Sequence, residues 1–262
     1  MKLIKTILKA IDVAFSMYSK IPMPRFNWAT EDMRYHLCFF PWVGIVIGFL
    51  EWEWRRVPVN GCLSLCGAIA IPLLVTGGFH VDGFLDTMDA LHSYQDREKK
   101  LEILKDPHVG AFAIISLVTY LLLLVGFGSE VQGRESFITI CFCFFLSRCL
   151  SGLSVTYFPT AKKTGMLSTS SATEKKSVVG PALLLQLVLG VALLLWLTRA
   201  NVLSSLWALL AMGLCFLYYY CMSKKQFGGT TGDLAGFFVT LSELAGVIGV
   251  VIGTWMSIWI GR

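Results

Sequence analysis

Long apolar runs dominate this chain and predict a protein that crosses a membrane several times. Seven runs are long enough to span a hydrocarbon core of about 30 Å as helices. They cover residues 36–54, 61–79, 110–128, 136–158, 179–198, 202–222 and 234–260. Six spans remain an alternative, because Glu51 and Glu53 lie near the end of the first run and the last run is either one tilted span or a broken one. The predicted fold class is an all-α, polytopic integral membrane protein.

The first 25 residues predict an amphipathic helix that lies in the membrane interface. Apolar side chains recur at helical spacing within residues 2–20, and lysines occupy the opposite face. The apolar positions are Leu3, Ile4, Ile7, Leu8, Ile11 and Phe15. The stretch is too short and too polar to cross a bilayer, but such a helix can lie at its surface. The sequence Ile21-Pro22-Met23-Pro24 ends it, because proline lacks the N–H that a helix needs.

The basic residues predict the orientation of the spans. Cytoplasmic loops of membrane proteins carry an excess of Lys and Arg. Sixteen basic residues lie in the segments that share a side with the N-terminus, against five on the other side. These segments are 1–35, 80–108, 159–178 and 223–232. We therefore expect these segments to face the cytoplasm.

Composition supports a single membrane domain over residues 1–262. With 55% hydrophobic and only 15% charged residues, the chain does not have the composition of a soluble domain. No internal repeat is evident. The net charge of +5 is modest and its lysines fall in loops, so it reports membrane topology and predicts no binding of nucleic acid.

One predicted loop, residues 80–108, is exceptionally acidic. It holds seven of the 17 acidic residues of the chain. Asp82, Asp86 and Asp89 are spaced i, i+4 and i+7, so a helix would present all three carboxylates on one face. Like charges at i, i+4 cost roughly 0.2–0.5 kcal/mol per pair, and a bound cation is the simplest reason to tolerate them. Oxygen ligands suit Mg²⁺ or Mn²⁺, which predicts a metal-dependent phosphoryl transfer.

The flanking residues predict two short helices in this loop. Gly77 and Gly78 allow a tight bend where the chain leaves the membrane, and residues 80–92 can form the helix that bears the three aspartates. A second helix is predicted from Arg97 to Asp106, with Asp96 as its N-cap and Pro107 as its stop.

The second helix would carry an acidic face of its own. Glu98, Glu102 and Asp106 recur every four residues, and Glu102 and Asp106 are further candidate metal ligands. The alternative is a solvated face whose acids pair with the interleaved basic residues. These are Arg97, Lys99, Lys100 and Lys105.

A glycine-rich stretch near residues 223–233 is the second candidate site. Glycines let backbone N–H groups approach phosphate oxygens, and a following helix start favours anions. Its candidate contacts to a nucleotide or a metal are Gly228, Gly229, Thr231 and Asp233. The alternative is a turn between two spans, with Asp233 as the cap of the last one.

Two charged residues lie deep inside predicted spans, far from either end. Arg148 and Glu243 each lie about ten residues from the same end of their spans, so at 1.5 Å per residue they reach a similar depth. An ion pair between them is therefore expected, because a lone charge there is costly. Two roles stay open for Arg148, a structural lock between the spans and a contact to a substrate diphosphate.

Several of these stretches together resemble one family. GGFHVDGFLDTMDAL followed by REKKLEILKDPHVGAFA, then LSRCL and GGTTGDLAG, are similar to cobalamin synthase, the adenosylcobinamide-GDP ribazoletransferase family. The resemblance covers most of the chain. It implies an enzyme of the prokaryotic cytoplasmic (inner) membrane that joins adenosylcobinamide-GDP to α-ribazole, or to its 5′-phosphate, and releases GMP with the help of Mg²⁺. His80 and Lys105 are candidate substrate contacts beside Arg148 and the glycine-rich stretch. The alternative for His80 is a structural residue held by hydrogen bonds.

The implied mechanism is attack of a ribose hydroxyl on the phosphorus attached to cobinamide. Asp82 and Asp86 would hold Mg²⁺, and Asp89 would hold a second ion or take the hydroxyl proton. Other cobalamin-assembly enzymes at the membrane and a second copy of the chain are further candidate partners. Two other functions stay open, a cation transporter and an enzyme similar to the CDP-alcohol phosphotransferases, whose aspartate spacing differs from that found here.

Overall fold

The computed structural model describes residues 2–24, 29–161 and 173–260, and α-helices dominate this part of the chain. The α-helices are α1 (Lys2–Tyr18), α2 (Phe40–Trp54), α3 (Gly61–Thr76), α4 (Phe79–His92), α5 (Arg97–Ile103), α6 (Ala111–Ser129), α7 (Arg134–Tyr157), α8 (Lys176–Leu197), α9 (Val202–Met222) and α10 (Gly232–Ile260). Two 3₁₀ helices (Thr30–Phe39 and Arg199–Asn201) precede α2 and α9, and a π-helix (Ser223–Phe227) follows α9. No β-strand forms in the described residues. The predicted all-α class is confirmed.

Six helical segments are long and apolar enough to cross a membrane, and a bent pair raises the number to seven. The six are Glu31–Trp54, Ala111–Ser129, Arg134–Tyr157, Lys176–Leu197, Arg199–Phe227 and Gly232–Ile260. This agrees with the predicted count of six or seven. The last predicted run is one continuous helix of 29 residues and is not broken.

The bent pair consists of α3 and α4, whose axes meet at 93°. Gly77 and Gly78 join them with φ angles of +65° and +78°, a left-handed conformation that glycine adopts without steric cost. The predicted bend at these two glycines is confirmed. It ends the second apolar run at Thr76 and turns the aspartate-bearing helix across the end of the bundle.

Helix α10 lies at the centre of the bundle. In its most apolar stretch 72% of the residues are buried, against 6% for α6, which lies at the periphery. Gly249 lets α10 approach α9 closely, because a Cβ atom there would lie 2.6 Å from the Ala208 Cα atom. Small residues allow such close packing between membrane helices, where lipid provides no hydrophobic drive for association.

Helix α1 presents apolar residues on two faces. Val13, Ala14 and Phe15 are buried against the body of the protein, and Phe15 belongs to a cluster with Val43 of α2. Ile4, Ile7 and Leu8 remain exposed. The predicted apolar stripe is therefore divided, with its C-terminal half packed on protein. The exposed N-terminal half is what an interfacial helix would insert among lipids.

The predicted second acidic helix is too long. Asp96 caps α5 as expected, since its side chain accepts a hydrogen bond from the Lys99 N–H at 2.9 Å. The helix ends at Ile103, however, so Asp106 lies beyond it. Proline disfavours the helical conformation at the residue before it, so Pro107 disfavours a helix that includes Asp106.

Candidate functional site

The acidic helix α4 packs directly on the start of α10. A Cβ atom added to Gly83 would lie 2.5 Å from the backbone oxygen of Asp233 and 2.9 Å from its Cα atom. Only glycine permits this approach. The contact joins the predicted acidic and glycine-rich sites, which are separated by about 150 residues in sequence, into one region of the molecule.

A cavity of about 650 Å³ lies beside the bend, between the end of α1, the end of α3 and the start of α4. Asp82 is exposed and lines its wall. Asp86 follows one helical turn later and is half-buried. Lys20 is the other charged residue that lines the cavity. A space of this volume falls in the usual range for small-molecule sites.

Asp89, the third member of the predicted triad, contacts the start of α6. One carboxylate oxygen accepts a hydrogen bond from the Gly110 N–H at 2.6 Å, and the other accepts from the Ala113 N–H at 2.8 Å. The first N–H groups of a helix have no partner within the helix, and a carboxylate there also favours the helix dipole. Asp89 therefore fixes α4 to α6. Its predicted role toward a metal or a proton stays a prediction.

The acids of α5 and the following turn have partners of their own. Glu102 pairs with Lys99 at 2.8 Å on the surface, and the hydrogen bond between them raises the pKa of Lys99. Asp106 accepts hydrogen bonds from the backbone and ring of His108, at 3.0 and 2.7 Å, which lower the pKa of the Asp106 carboxyl. Glu98 and Lys105 are exposed. These contacts agree with the alternative of a solvated face.

The described residues contain no group of three or more His, Cys, Asp or Glu side chains that could hold a metal ion. Mg²⁺ does not require one, since it commonly binds through one or two carboxylates and completes its shell with water and substrate phosphates. Asp82, which lines the large cavity, and Asp86, one turn later on the same helix, fit such a site. Glu102 and Asp106 stay predictions as ligands.

The backbone of the glycine-rich stretch is occupied by protein contacts. The N–H groups of Gly228 and Gly229 both donate to the Ser223 oxygen, and the Thr230 N–H donates to the Pro159 oxygen at 2.7 Å. A Cβ atom at Gly229 would lie 2.3 Å from that same Pro159 oxygen. These glycines therefore shape a tight turn. A contact between them and a phosphate stays a prediction.

The cap of α10 is Thr231, because its hydroxyl accepts a hydrogen bond from the Leu234 N–H at 3.2 Å. The alternative that assigned this cap to Asp233 is therefore wrong. The Thr231 hydroxyl also lies 3.4 Å from the Asp233 carboxylate. Asp233 is half-buried, and its backbone packs against Gly83 of α4. Its contact to a nucleotide or a metal stays a prediction.

Two basic residues of α5 reach this turn, and the pattern of charges along α5 does not reveal either contact. Lys100 is only 6% exposed, and its ammonium donates to Gln226 at 2.5 Å. The guanidinium of Arg97 lies over Gly228, where a Cβ atom would approach it to 2.8 Å. The two contacts attach the acidic segment to the glycine-rich turn.

Arg148 and Glu243 form the expected ion pair inside the bundle. Arg148 is 1% exposed and also donates to the Phe144 oxygen at 2.8 Å and the Ser147 hydroxyl at 3.1 Å. The small cavity beside it, about 20 Å³, has room for little more than one water molecule. This volume favours the structural role of the pair over contact with a diphosphate.

His80 lines the same small cavity. Its side chain is buried between the rings of Phe40 and Phe79, and neither ring nitrogen has a hydrogen-bond partner among the described residues. It does not line the larger cavity that Asp82 lines. Its predicted substrate contact stays untested.

A third cavity, of about 400 Å³, extends along α3 from Gly61 to Pro72. Glu51 lines it, is 3% exposed, and has no partner for its Oε1 atom within the described part of the chain. Glu243 lines the same cavity. Two acidic residues, Glu51 and Glu243, therefore lie inside the bundle, away from the acidic loop 80–108.

Comparison with known proteins identifies the family. Residues 10–251 match the family model described as cobalamin-5-phosphate synthase. Relatives named adenosylcobinamide-GDP ribazoletransferase include a protein of Lachnoclostridium phytofermentans, 43% identical over 96% of this chain and 97% of its own length. A relative from Clostridium perfringens is 34% identical over 93% of this chain and 98% of its own length. A relative from Desulfitobacterium hafniense is 31% identical over 92% of this chain and 96% of its own length. No solved structure matches. The chain belongs to the cobalamin-5-phosphate synthase family.

Proposed function

We propose that this membrane protein joins adenosylcobinamide-GDP to α-ribazole, or to α-ribazole 5′-phosphate, and releases GMP. The names of its relatives identify a transferase, which favours an enzyme over a cation transporter. The observation that carries the proposal is the position of Asp82 on the wall of a 650 Å³ cavity, with Asp86 on the next turn. A carboxylate on the wall of such a cavity, with a second one turn away on the same helix, suits a reaction between phosphorylated substrates.

The proposed reaction exchanges one bond to phosphorus for another. A ribose hydroxyl oxygen of α-ribazole forms a bond to the phosphorus attached to cobinamide, and the bond from that phosphorus to the oxygen of GMP breaks. GMP leaves with the electron pair, and the hydroxyl proton is released. Mg²⁺, or Mn²⁺ in its place, held by Asp82 and Asp86, would neutralise phosphate charge as it does in other phosphoryl transfers.

The protein itself holds α4 in position at both ends of the aspartate face. Near Asp82, the glycine contact at Gly83 fixes the helix against α10. Nearly two turns after Asp82, Asp89 fixes the helix against the start of α6. We therefore propose Asp82 and Asp86 as the metal ligands and Asp89 as a positioning residue. Preorganised charge is a large source of catalysis in phosphoryl transfer.

We further propose that this site faces the cytoplasm. The basic residues around α1, α4 and α5 support that orientation, since positive charge concentrates on the cytoplasmic side of membrane proteins. Substrates made in the cytoplasm would then reach the cavity without crossing the bilayer.

The direct test is a reaction with purified protein in detergent, Mg²⁺ and both substrates. We expect GMP and a corrinoid that carries the ribazole in equal amounts, and neither product when one substrate is omitted. Asp82→Asn should lower turnover more than tenfold. Asp96→Asn is the matched control, because asparagine also caps helices and Asp96 lies outside the cavity. Failure of the wild-type protein to release GMP would refute the proposed function.

A further inference from the structure

The cavity that Asp82 lines has a second charged residue whose role is unassigned. This is Lys20, at the end of α1. It lies more than 60 residues from the acidic stretch in sequence, and the interfacial-helix pattern accounts for it simply as one more surface lysine. In the fold, the end of α1 reaches the bend between α3 and α4, so Lys20 and Asp82 share one cavity.

The backbone of Lys20 is tied to the last turn of α3. Its N–H donates to the Val75 oxygen at 2.7 Å. The residue before it closes α1, because the Ser19 hydroxyl donates to the Phe15 oxygen at 2.7 Å and accepts from the Ile21 N–H at 3.3 Å. Lys20 therefore starts from a fixed point beside the cavity and not from a free helix end.

The side chain of Lys20 has a defined direction as well. Its stem passes directly over Gly77, where an added Cβ atom would lie 2.4 Å from the Lys20 Cε atom and 2.6 Å from its Cγ atom. The left-handed φ of Gly77 favours glycine, and any larger residue there would have to displace the Lys20 stem. The ammonium group is thus carried across the bend toward the space that Asp82 lines.

The ammonium of Lys20 has no ion-pair partner among the described residues, in contrast to Lys9 and Lys99. A lysine at the end of a helix such as α3 can act as a favourable charge for the helix dipole, and that is the competing structural explanation. It does not require the residue to line a large cavity. A lysine beside a carboxylate proposed to hold a metal does suit a phosphate, which can contact the ammonium and the metal together.

Resting on the function proposed above, we propose that Lys20 binds the diphosphate of the GDP-activated substrate, in the cavity lined by Asp82. The ammonium donates hydrogen bonds to non-bridging phosphate oxygens, which a compact and rotatable cation does well. It acts on the diphosphate while the aspartates hold the metal. The second substrate, whose nucleophile is a hydroxyl, does not depend on Lys20.

The test compares three variants of the full-length protein. Lys20→Met keeps a stem over Gly77 and removes the charge, whereas Lys20→Arg keeps the charge. Lys5→Met is the control, because it removes an exposed lysine of α1 that lies away from the cavity. We expect Lys20→Met to raise the KM for the GDP-activated substrate on the order of tenfold, as for loss of a charged hydrogen bond. The KM for α-ribazole should stay within twofold. Lys20→Arg should recover most of the loss, and Lys5→Met should resemble the wild type.

Equilibrium binding of GMP to the same variants in the presence of Mg²⁺ gives a second readout that does not need turnover. Lys20→Met should weaken GMP binding while its thermal stability matches that of Lys5→Met. If an active, folded Lys20→Met protein keeps both the KM and the GMP affinity of the wild type, the inference is wrong. If stability falls and both KM values rise together, Lys20 serves the α3 dipole only. A wild-type protein that binds GMP but transfers nothing would refute the proposed function instead.

Discussion

The ion pair between Arg148 and Glu243 gives a quantitative prediction about stability. Replacing Glu243 by methionine leaves the buried guanidinium of Arg148 with two neutral acceptors, the Phe144 oxygen and the Ser147 hydroxyl. Breaking a buried pair in this way costs about 3–5 kcal/mol. The cost of a lone charge at a membrane helix centre, about 2.5–3.5 kcal/mol, is similar. At about 2–4 °C per kcal/mol for a chain of this size, Tm should fall by roughly 6–20 °C.

Replacing Arg148 by methionine should lower the stability less than replacing Glu243. In Arg148→Met, the carboxyl of Glu243 can take up a proton and become neutral, whereas arginine stays charged in proteins. The double variant, with methionine at both positions, should recover much of the loss because no charge remains buried. Thermal unfolding in one detergent, followed for all four proteins, measures the coupling between the two residues. Glu53→Met is the matched control, since Glu53 pairs with Arg56 on the surface and exposed pairs contribute about 0–1 kcal/mol. Equal losses in both single variants, with a double variant equal to their sum, would refute this reasoning.

Three further predictions follow from the site. Asp89→Ala removes the acceptor for two N–H groups of α6, so we expect a loss of about 1–2 kcal/mol in unfolding experiments, and unchanged stability would show that this cap is unimportant. Gly83→Leu places a side chain where the Asp233 backbone lies, so activity should disappear with a drop in Tm, whereas Gly126→Leu, at a position with open space around it, should leave both near wild-type values. Arg148→Lys should keep the KM for the GDP-activated substrate, and a tenfold rise at unchanged Tm would restore the diphosphate role for Arg148.

The features that could be predicted from the sequence depend on the periodicity of a helix or on the position of a residue along its own span. The three aspartates on one face of α4 follow from 3.6 residues per turn, and the glycine bend follows from the conformational freedom of Gly77 and Gly78. The pairing of Arg148 with Glu243 followed from counting residues along two spans. Each of these needs only the residues of the elements involved.

The remaining features depend on which helix ends meet in space. Asp89 faces the start of α6 only because α4 turns by 93° at the bend, an angle that the glycines permit but do not specify. The burial of Lys100 depends on the turn at Gln226, more than 100 residues later in the chain. The N–H groups of the glycine-rich turn are used by Ser223 and by Pro159, which the spacing of glycines cannot reveal.

The most direct test of the central claim is the dependence of GMP release on Mg²⁺ in wild-type protein, Asp82→Asn and Asp86→Asn. The carboxylates are proposed to hold the metal beside the cavity, so the wild type should be inactive in excess EDTA and regain turnover with Mg²⁺ or Mn²⁺. Each variant should stay folded, with turnover more than tenfold lower at saturating Mg²⁺ or with a Mg²⁺ requirement shifted to higher concentration. Full activity of the wild type in excess EDTA, or wild-type Mg²⁺ dependence and turnover in both variants, would contradict the account.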